Sequence, residues 1–287
     1  MTLPNAIEQS ITRAATHLSS VLRCSVQDAP THRVVVVEGW ADDQATIDAI
    51  AAYLVGLLAS AISLALTVRA SIEDTTEDRL ELRANVEKLV GSATVLLSSD
   101  QKQDERNPWM AEGIWHLCLF LAQQRTDLHP LGKIIALDHP HVAAKDHGFD
   151  VVAVYQGLIS FGMAFIECKA YENNPNGAIN SAVDFFRELE AGTYDARARQ
   201  VMSALRVALA PALQQQVSPS LWKQERELIP NPHYDVSAAV DWKNPRPSFN
   251  GLSTPVERRV IMPNELPGFT SFFDRIGDAM IQLVQGF

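Results

Sequence analysis

The chain has 287 residues, of which 47% are hydrophobic and 20% are charged, and its formal net charge is −10. This composition supports a globular protein with a sizeable core and excludes a disordered or low-complexity chain. The acidic balance repels polyanions. Binding of a nucleic acid would therefore require a local basic patch or a partner that holds the strand.

The cysteine pattern favours a reducing cytoplasm. Cys24, Cys118 and Cys168 are odd in number and show no CxxC spacing, which argues against a disulfide framework and against a cysteine zinc site. The N-terminal stretch MTLPNAIEQSITRAATHLSS contains no continuous apolar region, so we expect no signal peptide.

The N-terminal part predicts a small α/β module. The β-branched stretch HRVVVVEGW predicts a strand, and Asp42 and Asp43 are typical of a helix start. Residues 49–68 carry no charge and are long enough to span a bilayer, which leaves a membrane effector as an alternative. The acidic flank favours a buried helix over about residues 43–59 and then a buried strand, ISLALTVR. TTEDRLELRANVEKLVGSA predicts a further helix.

A polar stretch, residues 98–108, is the best candidate for a domain boundary. We expect residues 1–98 to form an N-terminal α/β module that binds a partner or regulates, and residues 99–287 to form a second domain. After Pro108 the pattern predicts a helix (WMAEGIWHLCLFLAQQ), three strands (GKIIALDH, FDVVAVY, MAFIECKAY) and a helix from near Ala178. This order predicts an α/β domain with a mixed central sheet flanked by helices.

The C-terminal part is richer in proline. A helical region is expected over about residues 194–216, and the segments SPSLWKQERELIPNPHY and DWKNPRPSFNGLSTP predict extended or loop structure. ERRVIMP predicts a last strand, and SFFDRIGDAMIQLVQGF predicts a closing helix.

An acid and a base lie two residues apart in the apolar strand FIECKAY. Side chains alternate along a strand, so Glu167 and Lys169 share one face and Cys168 points to the other. If residues 156–162 connect this strand to the one before it, the two strands run antiparallel. Asp150 then lies within about one residue of Glu167 and Lys169. Two carboxylates and an ammonium would gather at one end of a hairpin.

This grouping indicates metal-dependent phosphodiester hydrolysis. Two carboxylates on rigid strands can hold Mg²⁺, which prefers oxygen ligands. Such an ion polarises a phosphoryl oxygen and lowers the pKa of bound water. A nearby lysine can orient or activate that water, or stabilise charge on the phosphate. The alternative is an ordinary Glu–Lys pair at a solvent-facing strand end, with Asp150 as a turn residue.

The residues also carry a resemblance. GFD, followed 17 residues later by ECK, with helices on either side, resembles the PD-(D/E)xK nuclease superfamily. The pattern from AEGIWHLCLF through KDHGFDVVAVY to FIECKAYENNPNGAINSA resembles the nuclease subunit of the Hachiman anti-phage defence system, over about residues 109–189. The resemblance implies a restriction-endonuclease-like core, Mg²⁺ or Mn²⁺ as cofactor, DNA as substrate and a superfamily 2 helicase subunit as partner.

Carried over residue by residue, the resemblance implies Asp150 and Glu167 as metal ligands and Lys169 as the catalytic lysine. It implies Glu112, on the first core helix, as a further metal ligand. Two positions depart from the pattern: Phe149 replaces a proline, and ECK stands where ESK is expected. A catalytically inactive nuclease-fold subunit that binds or regulates a partner is the alternative function, and the residues themselves allow DNA or RNA.

A histidine-rich loop precedes Asp150. His139, His141 and His147 crowd this loop, and the His-x-His spacing allows a zinc site. A polar loop without a metal is the alternative. His147 and Lys145 stand close enough to Asp150 in sequence to contact the phosphate of a substrate.

Overall fold

The computed structural model describes residues 1–40, 43–141, 148–238 and 240–287. The helices, in chain order, are α1 (Leu3–Val21), α2 (Gln44–Leu58), α3 (Thr76–Val90), α4 (Ser99–Gln101), α5 (Asn107–Leu121), α6 (Pro175–Ala191), α7 (Asp195–Ala208), α8 (Pro211–Gln216), α9 (Leu221–Gln224) and α10 (Phe269–Gln285). The strands are β1 (Arg23–Asp28), β2 (Arg33–Glu38), β3 (Lys133–Leu137), β4 (Val151–Gln156), β5 (Phe161–Ala170), β6 (Arg226–Asp235), β7 (Val260–Ile261) and β8 (Asn264–Leu266).

Two mixed sheets organise these elements. The larger sheet has the strand order β3–β4–β5–β6–β8. Its first three strands are antiparallel neighbours, whereas β5, β6 and β8 run parallel to one another. In the smaller sheet, β2 pairs antiparallel with β1 and parallel with β7. The predicted mixed α/β fold is confirmed.

The two faces of β5 contact different parts of the core. Ala164, Ile166 and Cys168 pack on the side of α5, whereas Met163 and Phe165 pack on the side of α6 and α7. Burial on both faces explains why this strand has a nearly continuous apolar sequence.

β4 and β5 form the predicted antiparallel hairpin. Val151 pairs with Ile166, and residues 157–160 connect the strands. Continuing this register by one residue brings Asp150 opposite Glu167. The prediction of a hairpin at this place is therefore confirmed.

β6 is the main element that the sequence did not predict as a strand of the sheet. It is buried between β5 and β8 although it contains Pro230 and Pro232, and proline is normally excluded from a central strand. The oxygen of Pro230 accepts a hydrogen bond from Met262 N at 3.0 Å, on the side away from β5. The nitrogen and oxygen of one strand residue point to the same edge. Both prolines therefore face away from β5 and leave the ladder to β5 intact.

The uncharged stretch forms a buried helix and a loop. α2 matches the predicted helix, and the Asp43 side chain caps its start by accepting from Thr46 N at 2.7 Å. None of the helices in the described part of the chain is long and apolar enough to cross a membrane. The predicted strand ISLALTVR is wrong, because these residues form a tight loop closed by one bridge between Ile62 and Val68. Leu66 in this loop has a φ of 61°, which interrupts an extended strand.

The other predicted helices agree with the structure in all but one case. α3, α5, α6 and α10 lie where the periodicity placed them. The helix expected over residues 194–216 is instead two helices, α7 and α8. The break comes at Ala210, which is extended because Pro211 disfavours a helical conformation in the residue before it.

The residues on the two sides of the predicted boundary share one core. β2 pairs with β7, and α2 packs against α5 and α10. Gly113 on α5 permits the close approach of α2, because a Cβ at this position would collide with the side chain of Leu54. The division at residue 98 stays a prediction.

Candidate active site

Asp150 lies at the end of the hairpin that is remote from its turn. One carboxylate oxygen, Oδ2, accepts a hydrogen bond from the backbone N–H of Cys168 on β5 at 2.7 Å. This bond joins the residue before β4 to the ECK segment of the neighbouring strand. The register of the sheet therefore determines where the Asp150 carboxylate lies.

Glu167 and Lys169 lie on one face of β5, as the alternation predicts. Glu167 Oε1 and Lys169 Nζ are 2.6 Å apart, and the two side chains are 7% and 24% exposed. Cys168 points to the opposite face and is buried in the core. The acid and the base are therefore a largely buried pair rather than a solvated one at a strand end.

Glu112 approaches the same place from α5, together with His141. Glu112 Oε2 and His141 Nδ1 are 3.2 Å apart. One ligand-type atom from each of Glu112, His141 and Asp150 lies within 4.8 Å of the other two. Trp109 donates from Nε1 to the backbone oxygen of His141 at 3.0 Å, which holds this part of the loop against α5. Trp109 and Glu112 are three residues apart and so lie on the same side of the helix.

Burial and mutual repulsion raise the pKa values of the carboxyls. Burial, reinforced by the Glu112 charge, raises the pKa of Asp150 to about 7. Burial, reinforced by the Asp150 charge, raises the pKa of Glu167 to about 8. Burial also raises the pKa of Glu112, against the opposing effect of His141. For Lys169, burial disfavours the ammonium, yet the Glu167 and Asp150 carboxylates raise its pKa above the usual value.

Glu167 Oε2 is buried and accepts no hydrogen bond from any described residue, and Glu112 Oε2 has the contact with His141 Nδ1 as its partner among them. A buried acceptor without a partner is unfavourable by about 1–3 kcal/mol, and more when it is charged. A divalent cation would satisfy such oxygens, and carboxylates suit Mg²⁺ and Mn²⁺. Glu112, His141 and Asp150 are the residues whose ligand-type atoms meet, and they would hold such an ion. Glu167 lies on the neighbouring strand, and its role as a metal ligand stays a prediction.

The remaining candidate residues fall into two groups. Lys145 and His147 lie outside the described residues. His139 is exposed, whereas His141 contacts Glu112. The structure thus brings one histidine of the loop to the carboxylates. The sequence identified His141 only as a member of the loop, since its contact with Glu112 depends on how the loop folds over α5.

No family model, no curated protein and no solved structure matches this chain. The fold and the site define its class at a coarser level. It is a mixed α/β protein whose larger sheet carries a carboxylate-rich candidate cation site with a paired lysine.

Proposed function

We propose that the protein is a metal-dependent nuclease that hydrolyses phosphodiester bonds in DNA. One observation carries the proposal: Asp150, Glu167 and Lys169 converge at one end of the hairpin, and Glu112 joins them from α5. One buried and two half-buried carboxyls around a charged lysine suit a divalent cation and an anionic substrate together.

We infer a restriction-endonuclease-like core from the order of the elements around this site. The chain runs through α5, the three antiparallel strands β3, β4 and β5, then α6, and later β6 parallel to β5. This order supports the resemblance of the ECK segment to the PD-(D/E)xK superfamily. The candidate residues lie on the central strands and on the preceding helix, as the resemblance implies.

Each residue has a proposed task. Asp150, Glu167 and Glu112 would hold Mg²⁺ or Mn²⁺, and the ion supplies a Lewis acid and a bound water of lowered pKa. Lys169 stays protonated because the neighbouring carboxylates raise its pKa. Its ammonium can donate hydrogen bonds to a phosphate oxygen on which negative charge increases during hydrolysis. The ion pair with Glu167 keeps the lysine in place before substrate arrives.

A helicase partner and a role in anti-phage defence belong to the same proposal and rest on the sequence resemblance. The net charge of −10 supports a division of labour, because an acidic nuclease gains from a partner that holds the DNA. Co-expression and co-purification of the chain with a superfamily 2 helicase subunit tests this part. A nuclease that binds DNA tightly and cuts it alone at physiological salt would contradict the need for such a partner.

The main experiment is cleavage of plasmid and linear DNA by the purified chain with Mg²⁺ or Mn²⁺. The variants are Glu167→Ala and Lys169→Ala, and the matched control is Asp184→Asn, which changes a carboxylate on the exposed side of α6. We expect the wild type and the control to cut. We expect both site variants to lose at least about a hundredfold in rate.

A second readout separates metal binding from cutting. Mg²⁺ or Mn²⁺ should raise the thermal unfolding midpoint of the wild type and of Lys169→Ala, which keeps all three carboxylates, but not of Asp150→Asn. A chain that shows neither metal binding nor cutting, even with the helicase added, would contradict the proposal. That result would favour the inactive-subunit alternative.

A further inference from the structure

Arg197 lies at the rim of the candidate site, in the first turn of α7. A Cβ built on Gly148 would lie 3.8 Å from both Nε and Nη2 of Arg197 and 3.1 Å from Nε2 of His141. The guanidinium and the imidazole therefore flank the same point of the chain, two residues before Asp150. The charge of Arg197 also reaches the loop on the other side, where it opposes the rise in the pKa of Asp138 that burial causes.

An aromatic cluster holds the start of α7 beside the hairpin. Tyr194, the residue before α7, packs its ring 5.9 Å from Phe149 and 4.9 Å from Phe185. Phe149 directly precedes Asp150 and also packs against Phe165 on β5, at 5.1 Å. Aromatic pairs at such distances stabilise the structure beyond the burial of their area. The position of Arg197 relative to Asp150 is therefore determined by packing.

The guanidinium of Arg197 is open to solvent at this rim. Arg197 is exposed and forms no hydrogen bond or ion pair with any residue of the described ranges. Arg187 and Arg206, on the same pair of helices, bind Asp184 and the backbone of Gln214 respectively. An arginine that is placed by packing and has no partner in the described ranges can offer its donors to a ligand.

We propose that Arg197 binds a phosphate of the DNA strand at the entrance of the site, an inference that rests on the proposed nuclease function. The carboxylates of the site repel a phosphodiester, and the protein as a whole is acidic. A cation on the approach is therefore needed to bring the strand to the metal ligands. The planar guanidinium suits this task, because it can bind two phosphate oxygens at once.

The experiment measures DNA binding and cutting separately. Binding of a fluorescein-labelled DNA duplex is followed by anisotropy with Mg²⁺ across a range of salt concentrations. All proteins carry Lys169→Ala, which keeps the carboxylates and is expected not to cut. Arg197→Ala and Arg197→Lys are compared with Arg199→Ala, the matched control. Arg199 is exposed on the same helix but faces a shallow groove beside Gln200 and Ser203.

We expect Arg197→Ala to weaken binding about tenfold and to lower the slope of log affinity against log salt by about one, as for the loss of one phosphate contact. Arg197→Lys should recover part of the affinity, and Arg199→Ala should change little. In the cutting enzyme, Arg197→Ala should raise KM more than it lowers kcat, because the contact exists before and during the reaction. The unfolding midpoints of all variants should agree, whereas the loss of a residue with a merely structural role would lower the midpoint.

If Arg197→Ala and Arg199→Ala weaken DNA binding equally, the inference is overturned. Arg197 would then act only through the net charge of the protein and not through a specific phosphate contact. Unmeasurable DNA binding by the parent protein would overturn the inference as well. If the parent binds DNA and depends on Arg197 but the wild type never cuts, the nuclease function fails while Arg197 keeps its role in binding. The two failures are thus distinguishable.

Discussion

The larger sheet buries acidic side chains at two places that differ in how the charge is balanced. Glu227 on β6 pairs in register with Ala164 on β5, three residues before Glu167. Glu227 and His129 are fully buried, and their Oε2 and Nε2 atoms are 2.7 Å apart. Although burial lowers the pKa of His129, the Glu227 charge raises it above the usual value. At this place one base neutralises one acid.

The candidate active site instead gathers three carboxyls around one lysine and one histidine. Burial, reinforced by the excess of acid, raises the pKa values of Asp150 and Glu167. Burial of an acid is common to both places, so burial alone does not indicate a functional site. The unbalanced charge favours the proposed site at the hairpin, because a bound cation would balance it.

Removal of His129 should have the largest effect on stability. In His129→Ala the buried Glu227 loses its partner, and we expect the free energy of unfolding to fall by about 3–5 kcal/mol. Urea unfolding measures this loss. The control His139→Ala removes an exposed histidine and should change stability by less than about 0.5 kcal/mol. A loss equally small in both variants would show that the pair is not an essential element of the core.

The same pair makes a pH prediction. The pKa of His129 is raised in the folded state. The stabilisation of the fold by the His129–Glu227 pair is therefore fully present below the unfolded pKa of about 6.5, and it is lost as the pH rises through the folded pKa. The difference in stability between the wild type and His129→Ala should therefore shrink above neutral pH. A difference that grows with pH would contradict the assignment.

Metal binding should have the second largest effect. Asp150 and Glu167 have raised pKa values in the folded state, so the metal-free protein binds more protons than the unfolded chain. Its stability should fall as the pH rises from about 4, the usual carboxyl pKa, to about 8. A cation replaces these protons, so its stabilisation should increase over the same range, to about 2.7 kcal/mol at a hundred times its Kd. Unfolding midpoints with EDTA and with Mg²⁺ at pH 6 and pH 8 test both statements. Equal shifts at the two pH values would contradict them.

Asp150→Asn should have a smaller effect, and of opposite sign. The amide oxygen of asparagine can still accept the hydrogen bond from Cys168 N, while the repulsion with the other carboxyls disappears. We expect the metal-free protein at pH 8 to gain about 1 kcal/mol in stability and to lose its metal-dependent shift. The control Asp184→Asn changes an exposed carboxylate and should stay near neutral. If Asp150→Asn is less stable than this control in the absence of metal, repulsion among the carboxyls does not destabilise the metal-free protein.

The hairpin and its acid–base pair could be predicted because they depend on short-range rules. The two-residue period of a strand places Glu167 and Lys169 on one face, and one connection of the right length brings Asp150 beside them. The helical period likewise predicted α5, the helix that carries Glu112. The sequence therefore identified the charged residues of the hairpin and Glu112, and the structure adds His141 together with the distances, burial and charge balance.

Contacts between distant segments could not be predicted in this way. β6 was missed because its prolines argue against a central strand, and only the neighbouring β7 and β8 segment shows that they face away from β5. His141 comes from the loop before Asp150, whereas Arg197 comes from α7, which is more than 50 residues further along the chain. Their meeting point depends on the packing of Tyr194 against Phe149, for which the sequence has no local signal.

Gly148→Ala should have the smallest effect, and it tests whether this meeting point matters for function. The backbone of Gly148 does not require glycine, because its φ lies outside the left-handed region. The added Cβ would nevertheless come within 3.1 Å of Nε2 of His141, so the imidazole must move by a few tenths of an ångström. We expect kcat/KM to fall about fivefold with little change in stability, because small displacements in a site reduce rates steeply.

The control Gly286→Ala places its Cβ at an ordinary 3.4 Å from Leu283 O, remote from the site, and should be neutral. If both variants cut DNA at the wild-type rate, neither the contact of His141 with Glu112 nor the rim at Arg197 is sensitive to this displacement. The comparison would then narrow the functional region to the hairpin and its three charged residues.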